Sequence, residues 1–123
     1  MTQSRTSIAV ADDDEAVRDS LAILIEAYGF NVRAFASGTD LLRGHEAEPA
    51  WCIVTDHQMP GLTGLEVLQA LRECGDTTPA VLITGKPDAA VHAKAKALGG
   101  VASLLKPLSP AELMAVLHKL TEQ

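Results

Sequence analysis

Short apolar runs alternate with longer stretches of helical periodicity five times along the chain. Most of these runs are aliphatic throughout, which is typical of parallel strands covered on both faces. Five strand–helix units of this kind predict a doubly wound α/β domain, in which the second strand, interrupted by Arg33, suits an edge. The predicted strands are IAVAD (8–12), NVRAFA (31–36), WCIVTD (51–56), AVLIT (80–84) and VASLL (101–105).

The first and last helices have clear boundaries. An apolar face on the first helix is followed by Gly29, a common residue just after a helix end. The last helix has Ser109 as its N-cap, Pro110 at its first position and a hydrophobic contact predicted between Leu108 and Leu113. The predicted apolar face of the first helix comprises Val17, Leu21, Leu24, Ile25 and Tyr28.

Three shorter helices are predicted near 38–46, 64–74 and 88–98. The last of these has only Val91 and Leu98 as large apolar residues, so we expect it to be the most weakly held. Right-handed crossovers leave few topologies for five such units, and the common strand order is 2-1-3-4-5. Ligands of such sheets bind outside the carboxyl ends of the strands, at the switch point between strands 1 and 3.

Composition narrows the functional classes. The 123 residues fit one domain, predicted to span 1–123, whose core is aliphatic because aromatic residues make up only 3%. A net charge of −6 argues against a nucleic-acid surface within this chain.

Cys52 and Cys74 lack metal-ligand spacing, so we expect both to be reduced. No apolar run approaches the ~20 residues of a membrane helix and 1–7 does not resemble a signal peptide, so we expect a cytoplasmic location.

Polar residues follow four of the five predicted strands, and the fold brings them together. Asp12 and Asp13 follow strand 1, Asp56 ends strand 3, Thr84 ends strand 4 and Lys106 follows strand 5. Three neighbouring carboxylates repel one another unless positive charge is brought in. Lys106 supplies one charge, and Mg²⁺, which takes carboxylate and phosphoryl oxygens, would supply the rest. At this edge the Asp56 carboxylate is suited to act as a nucleophile in phosphoryl transfer, with Mg²⁺, Lys106 and the Thr84 hydroxyl as neutralisers.

The same segments resemble the response-regulator receiver domains of two-component signalling. The resemblance covers essentially the whole chain, and its length and QMPGLTGLEVL segment are most similar to receivers of the FixJ type. Four motifs in this order, each at a strand end, are much more specific than any one alone. They are ADDDEAVR around Asp12 and Asp13, TDHQMPGLTGLEVL from Asp56 through Met59-Pro60 and Gly64, ITG at Thr84-Gly85, and LLKP at Lys106-Pro107.

The resemblance implies a role for each site residue. Asp56 would be the phosphoacceptor, and Mg²⁺ would be bound directly by Asp13, mainly through water by Asp12, and by the backbone carbonyl of Gln58. Thr84 and Lys106 would contact the phosphoryl group. The peptide between Lys106 and Pro107 is expected to be cis, which proline permits.

The resemblance also implies partners and a switch. The phosphoryl donor would be a histidine kinase or a phosphotransfer protein, and the surface formed by helix 4, strand 5 and helix 5 would dimerise or bind an output partner. Receivers of the FixJ type usually precede a DNA-binding helix-turn-helix. The chain departs from the family at Ser103, where receivers commonly hold a Tyr or Phe that turns inward, so the signal would pass through Thr84, the loop at 85–88 and helix 4.

Several alternatives remain open at this stage. The acids at 12–15 would also suit the start of a helix. An aspartate-nucleophile phosphatase of the haloacid-dehalogenase type would need a second acid where Gln58 stands, and a flavodoxin-like cofactor binder would need a phosphate-binding loop after strand 1. His57 should point away from Asp56 because side chains alternate along a strand. The other histidines are interpreted as solvated helix positions, namely His45, His92 and His118.

Overall fold

Five parallel strands form one sheet in a computed structural model of the chain, which describes residues 7–121. The strand order is β2-β1-β3-β4-β5, as predicted. Residues 1–6 and 122–123 of the predicted domain lie outside the described residues. The strands are β1 Ser7–Ala11, β2 Asn31–Phe35, β3 Cys52–Asp56, β4 Ala80–Thr84 and β5 Val101–Leu105. The helices are α1 Glu15–Ala27, α2 Gly38–Ala47, α3 Gly64–Glu73, α4 Ala89–Leu98 and α5 Pro110–Thr121.

The strand positions agree with the prediction to within one residue at each end. β1 ends at Ala11, so Asp12 lies in the loop that follows it, whereas Asp56 and Thr84 are the last residues of their strands. β2 pairs with β1 at one edge of the sheet and is only partly buried, in keeping with Arg33 in its middle. β1, which precedes Asp12, therefore lies at the centre of the sheet beside β3, which ends at Asp56, and β4, which ends at Thr84.

Two apolar layers cover the two faces of the sheet, because successive residues of a strand point to opposite sides. α1 and α5 pack on one face, and α2, α3 and α4 pack on the other. In β1, for example, Ile8 and Val10 face α1 and α5, whereas Ala9 and Ala11 face the opposite layer. With both faces covered, all five residues of β3 and of β4 are buried.

The helix ends confirm one prediction and correct another. Ser109 caps the start of α5, as predicted, since its hydroxyl accepts a hydrogen bond from the Glu112 amide at 3.2 Å. Tyr28 was predicted on the buried face of α1, but that prediction is wrong, because Tyr28 is 51% exposed. The helix ends at Ala27, and Tyr28 has left helical geometry with φ −95° and ψ 10°, so its side chain does not continue the apolar stripe.

Helix α4 is the most loosely packed helix. Its one buried residue is Ala95, with Val91 and Leu98 half-buried against the second layer, whereas α3 has five buried residues. Fewer buried apolar groups mean less free energy holding a helix to the sheet, as the sequence predicts for this one.

The cysteines are not joined to each other. Cys74 is exposed, and burial raises the pKa of the Cys52 thiol to about 12. Within residues 7–121, no helix combines the length and apolar character that crossing a bilayer requires.

Candidate functional site

The carboxyl ends of the central strands bring the predicted polar residues to one rim of the sheet. Because the strands are parallel and in register, Asp56 pairs with Ile83 and Thr84 pairs with Leu105. The backbone amide of Lys106 donates to the Thr84 carbonyl at 2.8 Å and holds the end of β5 against β4. Gly64 allows the start of α3 to lie close to this rim, since a Cβ there would be 2.4 Å from the Asp56 carbonyl oxygen.

Three carboxylates form a cluster at this rim. One oxygen from each of Asp12, Asp13 and Asp56 lies within 4.8 Å of the others. Asp12 and Asp56 are only 1% and 3% exposed, whereas Asp13 is exposed to solvent. The sequence prediction that these acids meet is therefore confirmed.

Two oxygens of the cluster are buried without a hydrogen-bond donor, Asp12 Oδ2 and Asp56 Oδ1. The other Asp12 oxygen accepts from the Asp14 amide at 2.9 Å. Buried carboxylate oxygens are costly when unpaired, and a hard divalent cation with oxygen ligands relieves that cost. The donor set, its spacing and one solvent-facing side therefore fit an ion such as Mg²⁺.

Electrostatics at Asp12 point the same way. Burial raises the pKa of Asp12, and the neighbouring charges of Asp56 and Asp13 raise it further, while the Asp14 amide and Lys106 act in the opposite direction. A raised carboxyl pKa means that the anionic form is disfavoured in this position. A bound cation would favour the anion again.

Lys106 contributes the positive charge of the rim. Its Nζ lies 3.2 Å from Asp56 Oδ1, an ion pair that lacks hydrogen-bond geometry. The Lys106 side chain is partly exposed, so it is accessible to an incoming anion from solvent. The peptide between Lys106 and Pro107 is cis, as the resemblance implied.

Thr84 and Gln58 connect the rim to the loop that leads into α4. The Thr84 hydroxyl donates to the Lys86 carbonyl at 3.1 Å. The side-chain oxygen of Gln58 accepts from the Gly85 amide at 2.9 Å. The resemblance implied only the backbone carbonyl of Gln58 as a ligand, so this side-chain contact is an addition, and nothing local in the sequence indicates it.

Ser103 lies on β5 beside an open cleft. A cavity of about 400 Å³ separates the amino-terminal half of α4 from β5, and its lining includes Thr84, Val91, Ser103 and Leu105. A serine here leaves this space unfilled between the rim and the loosely held helix.

The four histidines occupy three kinds of position, half-buried, exposed and buried. His57 points toward α3, where its Nδ1 accepts from the Leu65 amide at 3.3 Å, and this agrees with the predicted direction away from the acids. His92 and His118 are exposed, as predicted. The interpretation of His45 as solvated is wrong, because it is 2% exposed and lies at the opposite rim. Its spacing of four residues from the buried Leu41 is the sequence feature that indicates an inward position.

His45 joins three segments at the amino-terminal rim. Its Nδ1 accepts from the Ala50 amide at 3.0 Å, and its Nε2 lies 2.9 Å from Asp76 Oδ2. Burial alone would raise the pKa of Asp76, but hydrogen bonds from Thr78 and His45 outweigh it and lower that pKa. Because Nδ1 faces a donor, the proton of a neutral imidazole sits on Nε2, so His45 is held in place and is not free to act as a base.

The strand order and the acidic rim define a doubly wound α/β domain with its site at the switch point between β1 and β3. Residues 8–118 match the response regulator receiver domain family, and the chain belongs to this family. It is a signalling domain rather than a classical enzyme, and this membership decides against the phosphatase and flavodoxin-like alternatives.

Similar proteins support the assignment. The transcriptional regulatory protein FixJ of Azorhizobium caulinodans is 37% identical over 111 residues, which cover 90% of this chain and 53% of that protein. The crystal structure of FixJ-N has a TM-score of 0.87 at 28% identity, covering 99% of this chain and 97% of that one. Chemotaxis protein CheY4 of Vibrio cholerae has a TM-score of 0.87, covering 95% and 99%, and at 24% identity it shows the shared fold. The chain spans about half the length of the curated relatives it matches, 53% for FixJ.

Proposed function

We propose that this domain is a phosphorylation-controlled switch in which Asp56 accepts a phosphoryl group from a phosphohistidine of a histidine kinase or a phosphotransfer protein. One observation carries the proposal: Asp56 Oδ1 is buried, has no hydrogen-bond donor, and lies beside two further acids and Lys106 Nζ. An oxygen without a donor keeps its lone pairs for attack on phosphorus.

The transfer would form a bond from a carboxylate oxygen of Asp56 to phosphorus while the bond from phosphorus to the histidine nitrogen breaks. The bonding electrons leave with the imidazole. Lys106 is placed to pair with a phosphoryl oxygen, because its Nζ already lies 3.2 Å from Asp56 Oδ1. Water later hydrolyses the acyl phosphate, so the domain catalyses only its own phosphorylation and dephosphorylation.

We infer that Mg²⁺ is held by Asp12, Asp13 and Asp56 together with the backbone carbonyl of Gln58. Support comes from the spacing of the three carboxylates and from Asp12 Oδ2, which is buried without a hydrogen-bond donor. When bound, the ion supplies positive charge to the phosphoryl oxygens and relieves the repulsion among the acids.

Thr84 would couple the phosphoryl group to the conformation of the loop at 85–88. Its hydroxyl is bonded to the Lys86 carbonyl, and one hydroxyl proton cannot serve two acceptors at once. If the hydroxyl turns to a phosphoryl oxygen, the Lys86 carbonyl loses its donor and the loop before α4 is released. The loss of this one bond has a large effect because α4 is weakly packed.

The output surface would consist of α4, β5 and α5. We propose that phosphorylation changes this surface so that it forms a homodimer or binds an output partner. FixJ is a transcriptional regulatory protein. By analogy, a DNA-binding domain, joined to this one or separate, is the output that we propose, with no nucleic-acid contact by the receiver itself.

The proposal is tested by phosphorylating the domain with acetyl phosphate and Mg²⁺ and measuring its intact mass. Wild-type protein and Asp40→Asn, which changes an exposed acid of α2, should each gain one phosphoryl group, whereas Asp56→Asn should gain none. Omitting Mg²⁺ should suppress the gain. An equal mass gain in Asp56→Asn would exclude Asp56 as the acceptor.

A further inference from the structure

Arg72, near the end of α3, donates hydrogen bonds to four backbone carbonyls in two segments, the one before β4 and the end of α4. Its Nη1 donates to the Asp76 carbonyl and one of its Nη2 bonds goes to the Thr78 carbonyl, both at 2.9 Å. Its Nε donates to the Leu98 carbonyl at 3.3 Å, and Nη2 also donates to the Gly99 carbonyl at 3.0 Å. A planar guanidinium with fixed donors holds such acceptors in one geometry far better than an ammonium does.

Two of these four carbonyls belong to the carboxyl-terminal end of α4. The last carbonyls of a helix lack partners within it, so Arg72 supplies donors where α4 needs them. The chain then passes through Gly99 and Gly100, with φ of 77° and 67°, before β5 begins. The end of α4 is therefore tied to α3 and to the segment before β4.

The amino-terminal half of α4 is held differently. Asp88 caps its first turn, accepting from the amides of Ala90 and Val91 at 3.0 and 3.1 Å, but Asp88 is itself part of the loop that follows Thr84. The cleft of about 400 Å³ lies beside this half, lined by Pro87, Asp88 and His92 among others. One end of the helix has both room to move and a connection to the rim.

We propose that Arg72 is the fixed point about which α4 moves, so that phosphorylation displaces the amino-terminal half of the helix beside the cleft while Leu98 and Gly99 stay in place. This inference rests on the proposed function, which supplies the movement. Arg72 acts as a positioning residue, since it lies at the rim opposite the acids and its hydrogen bonds go to backbone carbonyls of the segments named above.

Hydrogen exchange of individual amides tests the proposal, with and without Mg²⁺ and beryllofluoride as the phosphoryl mimic. In wild-type protein the mimic should change exchange more at residues 89–92 than at 95–98. Without the mimic, Arg72→Ala should exchange about tenfold faster at residues 96–99, as expected when hydrogen bonds from a charged donor are lost. With the mimic, the change in Arg72→Ala should extend along the whole helix.

Two variants complete the test. Arg72→Lys keeps the charge and should recover part of the protection at residues 96–99, and it provides the comparison if Arg72→Ala does not fold. Arg43→Ala, which removes an exposed arginine of α2, should exchange as wild type does.

Each outcome separates this inference from the proposed function. If residues 96–99 exchange at the same rate in Arg72→Ala as in wild-type protein, Arg72 is not the fixed point, and the proposed function is unaffected. An equal response to the mimic along all of α4 in wild-type protein would lead to the same conclusion. If the mimic changes hydrogen exchange nowhere between residues 84 and 106 of wild-type protein, both the proposed function and the role of Arg72 as the fixed point are overturned.

Discussion

Replacing His45 by alanine should lower the free energy of unfolding by about 3 kcal/mol. The change leaves the buried Ala50 amide without an acceptor, which costs about 1–3 kcal/mol. The bond to Asp76 adds less, roughly 1 kcal/mol or under, because the Asp76 side chain is 31% exposed and water replaces the lost donor. Loss of the packed ring adds a further penalty of about 1 kcal/mol.

Urea unfolding followed by circular dichroism measures this difference directly. His45→Asn should lose only about half as much, since its amide oxygen can accept from Ala50 in place of Nδ1. His92→Ala, an exposed position on α4, should stay within about 0.5 kcal/mol of wild type. The reasoning is refuted if His45→Ala is as stable as His92→Ala, or if asparagine at position 45 is no better than alanine.

Two further predictions concern the two rims. Gly64→Ala should destabilise the domain by about 2 kcal/mol or more, because the added Cβ would lie 2.4 Å from the Asp56 carbonyl oxygen. Gly85→Ala should be tolerated in the same urea experiment, because the added Cβ would lie 3.7 Å from its nearest atom, Gln58 Oε1. The lowered pKa of Asp76 means that its contribution to stability is present above the usual carboxyl pKa and is lost as pH falls through the folded value. The free energy of unfolding should therefore fall less in Asp76→Asn than in wild-type protein between neutral pH and about pH 3. An equal fall in the two proteins would contradict this.

The fold was predictable because each strand carries its own local pattern. Uninterrupted aliphatic runs predicted buried parallel strands, and Arg33 predicted the edge position of β2. Once the strand order is known, the meeting of the acids with Lys106 follows, because parallel strands in register end at one rim. The chemical roles of Asp56, Thr84 and Lys106 remain predictions.

The contacts that the sequence did not predict join residues far apart in the chain. His45 and Asp76 are 31 residues apart, and Gln58 and Gly85 are 27 apart. No periodicity links such pairs, so they emerge only when helices and loops pack. Tyr28 shows a different limit: as the C-cap residue it has left helical geometry, so an apolar side chain that continues the stripe in the sequence lies in the solvent.

The two rims of the sheet differ in how the side chains described above are paired. At the amino-terminal rim, His45, Asp76 and Arg72 all have hydrogen-bond partners, and each bond joins a helix to a neighbouring segment. At the carboxyl-terminal rim, Asp12 and Asp56 each bury an oxygen that lacks a donor. Unsatisfied groups raise the free energy of the resting state, so a ligand that satisfies them can stabilise another arrangement of the chain. In the proposed switch, the hydrogen bonds of Arg72 would hold one end of α4, and phosphorylation at the rim of Asp12 and Asp56 would act on the other end.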